Sequence, residues 1–145
     1  MVKFQAGVRV KRPVDEVFAY LSDVGRQAEW SNAVQESRRE GFGQVSKGTR
    51  YRTKIKLLGR TVDGLCEVSE YEPNRRIEFS SLNGPMPYKW DVELEAVDGV
   101  TVLTSHGEAE PRGVFKVAEA VMRGAMKRQA ENDFRTLKAI LEGGS

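Results

Sequence analysis

The stretch RPVDEVFAYLSDVGRQAEW, Arg12 to Trp30, decides how the rest of the chain is arranged. Pro13 sits where a helix can begin, because the N–H it lacks would have no partner in a first turn. Val14, Val17, Phe18 and Leu21 recur at helical spacing, with Asp15 and Glu16 in the first turn, where the helix dipole favours negative charge. Gly25 reads as the end of this helix, and RQAEW as one more turn that delivers Trp30. So short a helix needs a partner for its apolar stripe.

The flanking sequence supplies one. Phe4, Ala6, Val8 and Val10 alternate with Gln5, Gly7, Arg9 and Lys11, the period of a half-buried first strand. From about residue 33 to 109, strand-like runs are separated by turn signals. AVQESRRE leads into the turn GFGQVSKG, and TRYRTKIKL puts Tyr51, Thr53, Ile55 and Leu57 on one face and Arg50, Arg52, Lys54 and Lys56 on the other. TVDGLCEVSEY groups Val62, Gly64, Cys66 and Val68, RRIEFSSL groups Ile77, Phe79 and Ser81, and YKWDVELEAV groups Tyr88, Trp90, Val92 and Leu94. Asp98-Gly99 is a strong hairpin signal before VTVLTSHGEAE. A helix is then expected from Val114 to Leu141, with an apolar stripe that includes Phe115, Met122, Met126, Ala130, Phe134, Leu137 and Leu141. At roughly 40 Å it is long enough to cross a whole sheet.

Antiparallel strands with one apolar face must cover it, and the terminal helix is the only element large enough. The expected fold is α+β: a curved seven-stranded antiparallel sheet wrapped around a long C-terminal helix, with two short helices after strand 1 closing one end. One domain, residues 1–145, is expected.

Bulk properties narrow the function. The chain is 39% hydrophobic and 30% charged, and no run reaches the roughly 18 apolar residues of a membrane span. The opening MVKFQAGVRV carries no secretion or import signal, so a cytoplasmic location is expected. The lone Cys66 forms no internal disulfide. A net charge of +2 does not point to a nucleic-acid or lipid-headgroup partner.

The stretches RPVDEVFAYLSDVGRQAEW, SEYEPNRRIEFSS, DGVTVLTSHGEAEPRG and AENDFRTLKAILE together resemble the helix-grip fold of the START-like, or SRPBCC, superfamily, in particular its polyketide cyclase/dehydrase branch. The resemblance covers essentially the whole chain. It implies a cavity between sheet and terminal helix that binds or transports a small hydrophobic molecule, lipid-like, aromatic or polyketide-like. The alternative it implies is a cyclase/dehydrase-type enzyme using Tyr, Glu or His groups for proton transfer.

Candidate lining residues follow from the inward faces and the helix stripe: Trp30, Tyr51, Ile55, Cys66, Phe79, Ser81, Met86, Tyr88, Trp90, Phe115, Glu119, Met122 and Met126. Gly64, Cys66 and Ser81 are small enough to leave room. Glu119 either enters the apolar interior with a raised pKa or is solvated at the mouth, and Asp133 reads as a surface or helix-to-loop contact. Alternation leaves both faces of VTVLTSHGEAE open, since each holds an apolar residue; the resemblance implies that the Leu103 face is inward and His106 outward, and Cys66 is expected to be a small buried hydrophobe. Arg50, Arg52, Lys54 and Lys56 are expected on a solvated face, paired with Glu36, Glu40 or Glu67.

Other chemistries find little support. One His and one Cys do not make a usual zinc site, so no metal or cofactor is expected. GQVSKGT has the glycine spacing of a phosphate loop without its lysine, GFG lacks the third glycine of a dinucleotide fingerprint, and no G-x-S-x-G occurs. A monomer or a homodimer is equally compatible with the sequence.

Overall fold

The computed structural model describes residues 1–57, 59–83, 87–110 and 119–143. The alternating first segment forms β1 (Val2–Val10), followed by α1 (Val14–Leu21), a 3-10 turn (Val24–Arg26) and α2 (Gln27–Trp30). Six further strands follow: β2 (Val34–Arg39), β3 (Arg50–Leu57), β4 (Arg60–Glu72), β5 (Arg76–Ser81), β6 (Tyr88–Val97) and β7 (Val100–Ala109). The described part of the terminal helix is α3 (Glu119–Gly143). The expected start of that helix, before Glu119, lies outside the described residues.

All strand pairs are antiparallel, and the order across the sheet is β1-β7-β6-β5-β4-β3-β2. β2 to β7 form a meander, which leaves β1 and β2 on opposite edges. The chain crosses between these edges through α1 and α2, with α1 packed on β6 and β7 and α2 on β2 and α3. Asp98 and Gly99 both take positive φ, 50° and 80°, as a tight β6–β7 hairpin requires. Register shifts between Val34 and Glu36 and between Val68 and Glu70 add local twist, and this helps the sheet curl.

α1 ends a turn earlier than Gly25 suggests. The backbone N–H of Ser22 donates to the Phe18 carbonyl at 2.9 Å and that of Asp23 to the Tyr20 carbonyl at 3.3 Å. The chain then tightens into the 3-10 turn that contains Gly25 and carries Val24 into the core. Val17, Phe18 and Leu21 bury the stripe seen in the sequence.

The concave face of the sheet is the core. Tyr51, Cys66, Val68, Ile77, Phe79, Val92 and Leu103 are buried there, beneath Phe134 and Leu137 of α3. An aromatic chain spans it. Phe79 meets Tyr51 edge-on at 6.1 Å and stacks on Trp90 at 4.4 Å, and Trp90 meets Trp30 of α2 at 6.0 Å. α3 lies along β1: Lys138 Nζ donates to the Arg9 carbonyl at 2.6 Å, Arg12 Nε to the Leu141 carbonyl at 2.9 Å, and the Lys11 N–H to Glu142 Oε2 at 2.8 Å.

Because Phe79 is clasped on two sides with no exposed surface, Phe79→Ala is expected to cost about 3–5 kcal/mol in urea unfolding. A loss below about 1 kcal/mol would mean that the site refills and that the aromatic chain does not hold the core together.

Candidate functional site

Between the far flank of α3 and the sheet lies a cavity of about 300 Å³. Helical spacing explains its roof: Met122, Ala125, Met126, Gln129, Ala130 and Asp133 recur at three and four residues and line it from α3. Ile55, Val62, Tyr88 and Trp90 line it from the sheet, and Gln27, Trp30 and Ser31 line it from α2 and the residue after it. Small inward residues keep it open, with Gly64, Ser81 and Ser105 at positions where larger side chains would intrude. Gly107 contributes differently. A Cβ there would lie 2.1 Å from the Phe4 ring, so its absence lets that ring lie flat on β7 at the cavity wall.

The polar groups are concentrated at two places. Asp133 is buried at the α2 end, where Ser31 Oγ donates to its Oδ2 at 2.8 Å and the Asn32 N–H and Gln129 Nε2 donate to its Oδ1 at 2.9 and 2.8 Å. Burial raises its pKa, and these three hydrogen bonds act in the opposite direction. On the sheet side, Tyr88 Oη lies 3.1 Å from Cys66 Sγ, which is 3.8 Å from Thr53 Oγ1. Burial, reinforced by Cys66, pushes the Tyr88 phenol well above its ordinary value, so it stays a neutral hydrogen-bonding group.

Of the residues expected from the sequence, Trp30, Ile55, Ser81, Tyr88, Trp90, Met122 and Met126 come together on the cavity wall. Tyr51, Cys66 and Phe79 share that inward face but lie beneath the lining, because Trp90 stacks over Phe79, Phe79 abuts Tyr51 and Tyr88 sits against Cys66. Met86 and Phe115 lie outside the described residues, as does the side chain of Glu119. Phe4, Gln27, Ser31, Gln129 and Asp133 are also on the wall, and the sequence did not mark them as lining residues. Asp133 is the helix-to-loop contact the sequence suggested, but a buried one.

His106 is exposed on the convex face, opposite the buried Leu103 and Ser105. Its Nδ1 lies 3.2 Å from Asp91 Oδ1, while Arg76 Nε donates to Asp91 Oδ2 at 3.1 Å and Arg76 also pairs with Glu78 at 2.9 Å. Among the described residues, Asp91, Glu93 and His106 bring possible ligand atoms within 4.8 Å of one another. The Arg76 guanidinium on Asp91 opposes a cation there, and the cluster serves to brace β5, β6 and β7. Within the basic row of β3, two residues pair as expected, Arg52 Nε lying 3.0 Å from Glu40 and Lys54 Nζ 3.8 Å from Glu36, while Lys56 reaches the cavity rim. Among the described residues, no helix is long and apolar enough to cross a membrane.

Known structures share this architecture at low identity. A START superfamily protein from Mycobacterium smegmatis superposes with a TM-score of 0.83 at 14% identity, and a protein from Thermus thermophilus with 0.81 at 16%, each over 99% of both chains. The structure of Ara h 8.0201 gives 0.69 at 14% identity over 96% of both chains. No curated protein matches the sequence. The profile of one family, described as "Polyketide cyclase / dehydrase and lipid transport", matches residues 1–142. With that match spanning nearly its full length and the helix-grip architecture in place, the chain belongs to the polyketide cyclase/dehydrase and lipid transport family.

Proposed function

We propose that the protein binds and carries a small hydrophobic molecule, lipid-like, aromatic or polyketide-like, in the cavity between the sheet and α3. The observation that carries this reading is the cavity itself: about 300 Å³, roofed by Met122, Ala125, Met126 and Ala130 and floored by aromatic rings. Two methionines make an adaptable apolar roof. The volume stands at the lower end of the ~300–1,000 Å³ usual for ligand sites, which favours a compact guest over a two-chain lipid. Burial of about 200 Å² of apolar guest surface would contribute about 5 kcal/mol before the entropy of association is subtracted.

A second reading is an enzyme of the cyclase/dehydrase kind. It is favoured by the presence of two titratable groups lining one cavity, the Tyr88 phenol on the sheet side and the Asp133 carboxyl on α3. Their hydrogen bonds run apart, Tyr88 to Cys66 and Asp133 to Ser31, Asn32 and Gln129, so they do not form an acid–base pair. His106, on the opposite face of the sheet, takes no part in this reading. Carriage of the guest therefore ranks first.

Filling the cavity separates guest binding from folding. Ala125→Trp is expected to weaken binding of the neutral fluorophore N-phenyl-naphthylamine about tenfold or more, while the urea midpoint moves little. Unchanged fluorophore binding would place the guest somewhere else. The raised pKa of Asp133 gives a second check. The folded state holds this proton more tightly than the unfolded chain, so ionised Asp133 lowers stability above its raised pKa. As pH falls through that pKa towards the ordinary aspartate value, the wild type is expected to gain stability relative to Asp133→Asn. Paired urea titrations across that range measure the difference, and a constant or opposite trend would contradict the assigned burial.

A further inference from the structure

One polar side chain on the cavity wall is both within reach of a guest and short of partners. Gln129 belongs to the helical stripe Met122, Met126, Gln129 and Asp133, lines the cavity and is half-buried. Its Nε2 donates to Asp133 Oδ1 at 2.8 Å, and the amide makes no other hydrogen bond among the described residues. Trp30 Nε1 and Gln27 Nε2 are also unpaired, but they are sealed inside the wall, whereas the Gln129 carbonyl oxygen is not.

The Asp133 contact fixes which end of the amide is left open. Asp133 Oδ1 also receives the Asn32 backbone N–H at 2.9 Å, a group that can only donate. Oδ1 is therefore the accepting oxygen in either protonation state, and a carboxyl proton belongs on Oδ2, beside the Ser31 hydroxyl. The Gln129 nitrogen faces Oδ1 in both cases, which leaves Oε1 without a partner. Other polar groups of the wall are engaged or withdrawn: Tyr88 Oη is on Cys66, Ser31 Oγ on Asp133, Ser81 Oγ accepts the Tyr88 N–H at 2.9 Å, and Ser105 is 2% exposed. Lys56, Asp63 and Asn83 stand at exposed positions.

Resting on the cavity-binding reading above, we propose that Gln129 sets the specificity of the cavity: its Oε1 accepts a hydrogen bond from a guest hydroxyl, so a phenol or alcohol is selected over an ether or hydrocarbon of similar shape. The guest's apolar body then lies along Met122 and Met126. Oε1 offers two lone pairs against the single N–H that Nε2 has left, which favours a donating guest over an accepting one. The bond to Asp133 holds the amide in place before the guest arrives, and this lowers the entropy cost of meeting it.

Three compounds on one ring system test this: 2-naphthol donates a hydrogen bond, 2-methoxynaphthalene only accepts one, and naphthalene does neither. In calorimetric titrations the wild type is expected to bind 2-naphthol at least about fivefold more tightly than 2-methoxynaphthalene. Gln129→Met is expected to abolish that preference while keeping the wild-type affinity for naphthalene, which reports an intact fold and cavity. Triple-resonance spectra of the wild type assign the Gln129 side-chain amide without any variant, and its carbonyl-carbon signal is expected to lie downfield in the 2-naphthol complex relative to the naphthalene complex. A 2-naphthol affinity no higher than that of the ether, or the same carbonyl signal in both complexes, would overturn the assignment and leave the binding cavity standing. A preference that survives in Gln129→Met would also overturn it and pass the hydroxyl to another acceptor, such as Ser81 Oγ. Failure of all three compounds to bind would remove the cavity reading and this inference together.

Discussion

α3 is fastened along one flank, and the hollow beside it exists for that reason. Lys138, Leu141 and Glu142 tie the helix to Arg9, Lys11 and Arg12 at the end of β1, and Asp133 ties its middle to Ser31 and Asn32. These bonds set the position of the helix over the curled sheet. Collapse of the other flank onto β3 and β4 would pull a buried carboxylate from the two donors outside the helix, Ser31 and Asn32, and breaking such a site is expensive. Small residues opposite, Gly64 and Ser81, give the helix nothing to settle on. The cavity is a consequence of where the helix is pinned and which side chains are missing.

The architecture could be read from alternation and spacing because each strand has one face in the core. Asp98-Gly99, the run from Tyr88 to Leu94 and the stripe from Met122 to Leu137 each had one consistent structural reading. The site was less legible. Parity assigns a residue to a face but gives no depth, so Tyr51, Cys66 and Phe79 could not be told from Ser81 and Tyr88 until Trp90 was seen to stack over Phe79. Gln27 and Ser31 sit in a short helix and the turn after it, where no periodicity marks the inward side. Asp133 did carry a signal: it lies eleven residues after Met122, on the same helical face, and only its charge argued against burial.

Charge is distributed accordingly. The convex face carries ion pairs that brace neighbouring segments of the sheet, including Arg76 with Asp91 and Arg52 with Glu40. Among the described residues, the concave side keeps one buried carboxylate, and it stands where the helix needs an anchor.

Methyl spectroscopy reaches the central claim most directly. The chain has four methionines, of which Met122 and Met126 line the cavity and Met1 is exposed just before β1. With methionine methyl groups isotopically labelled and naphthalene added as guest, intermolecular nuclear Overhauser effects are expected from naphthalene protons to the Met122 and Met126 methyls, with none to Met1. Effects at Met1 alone, or at no methyl while naphthalene is bound, would show that the hollow beside α3 does not hold the guest.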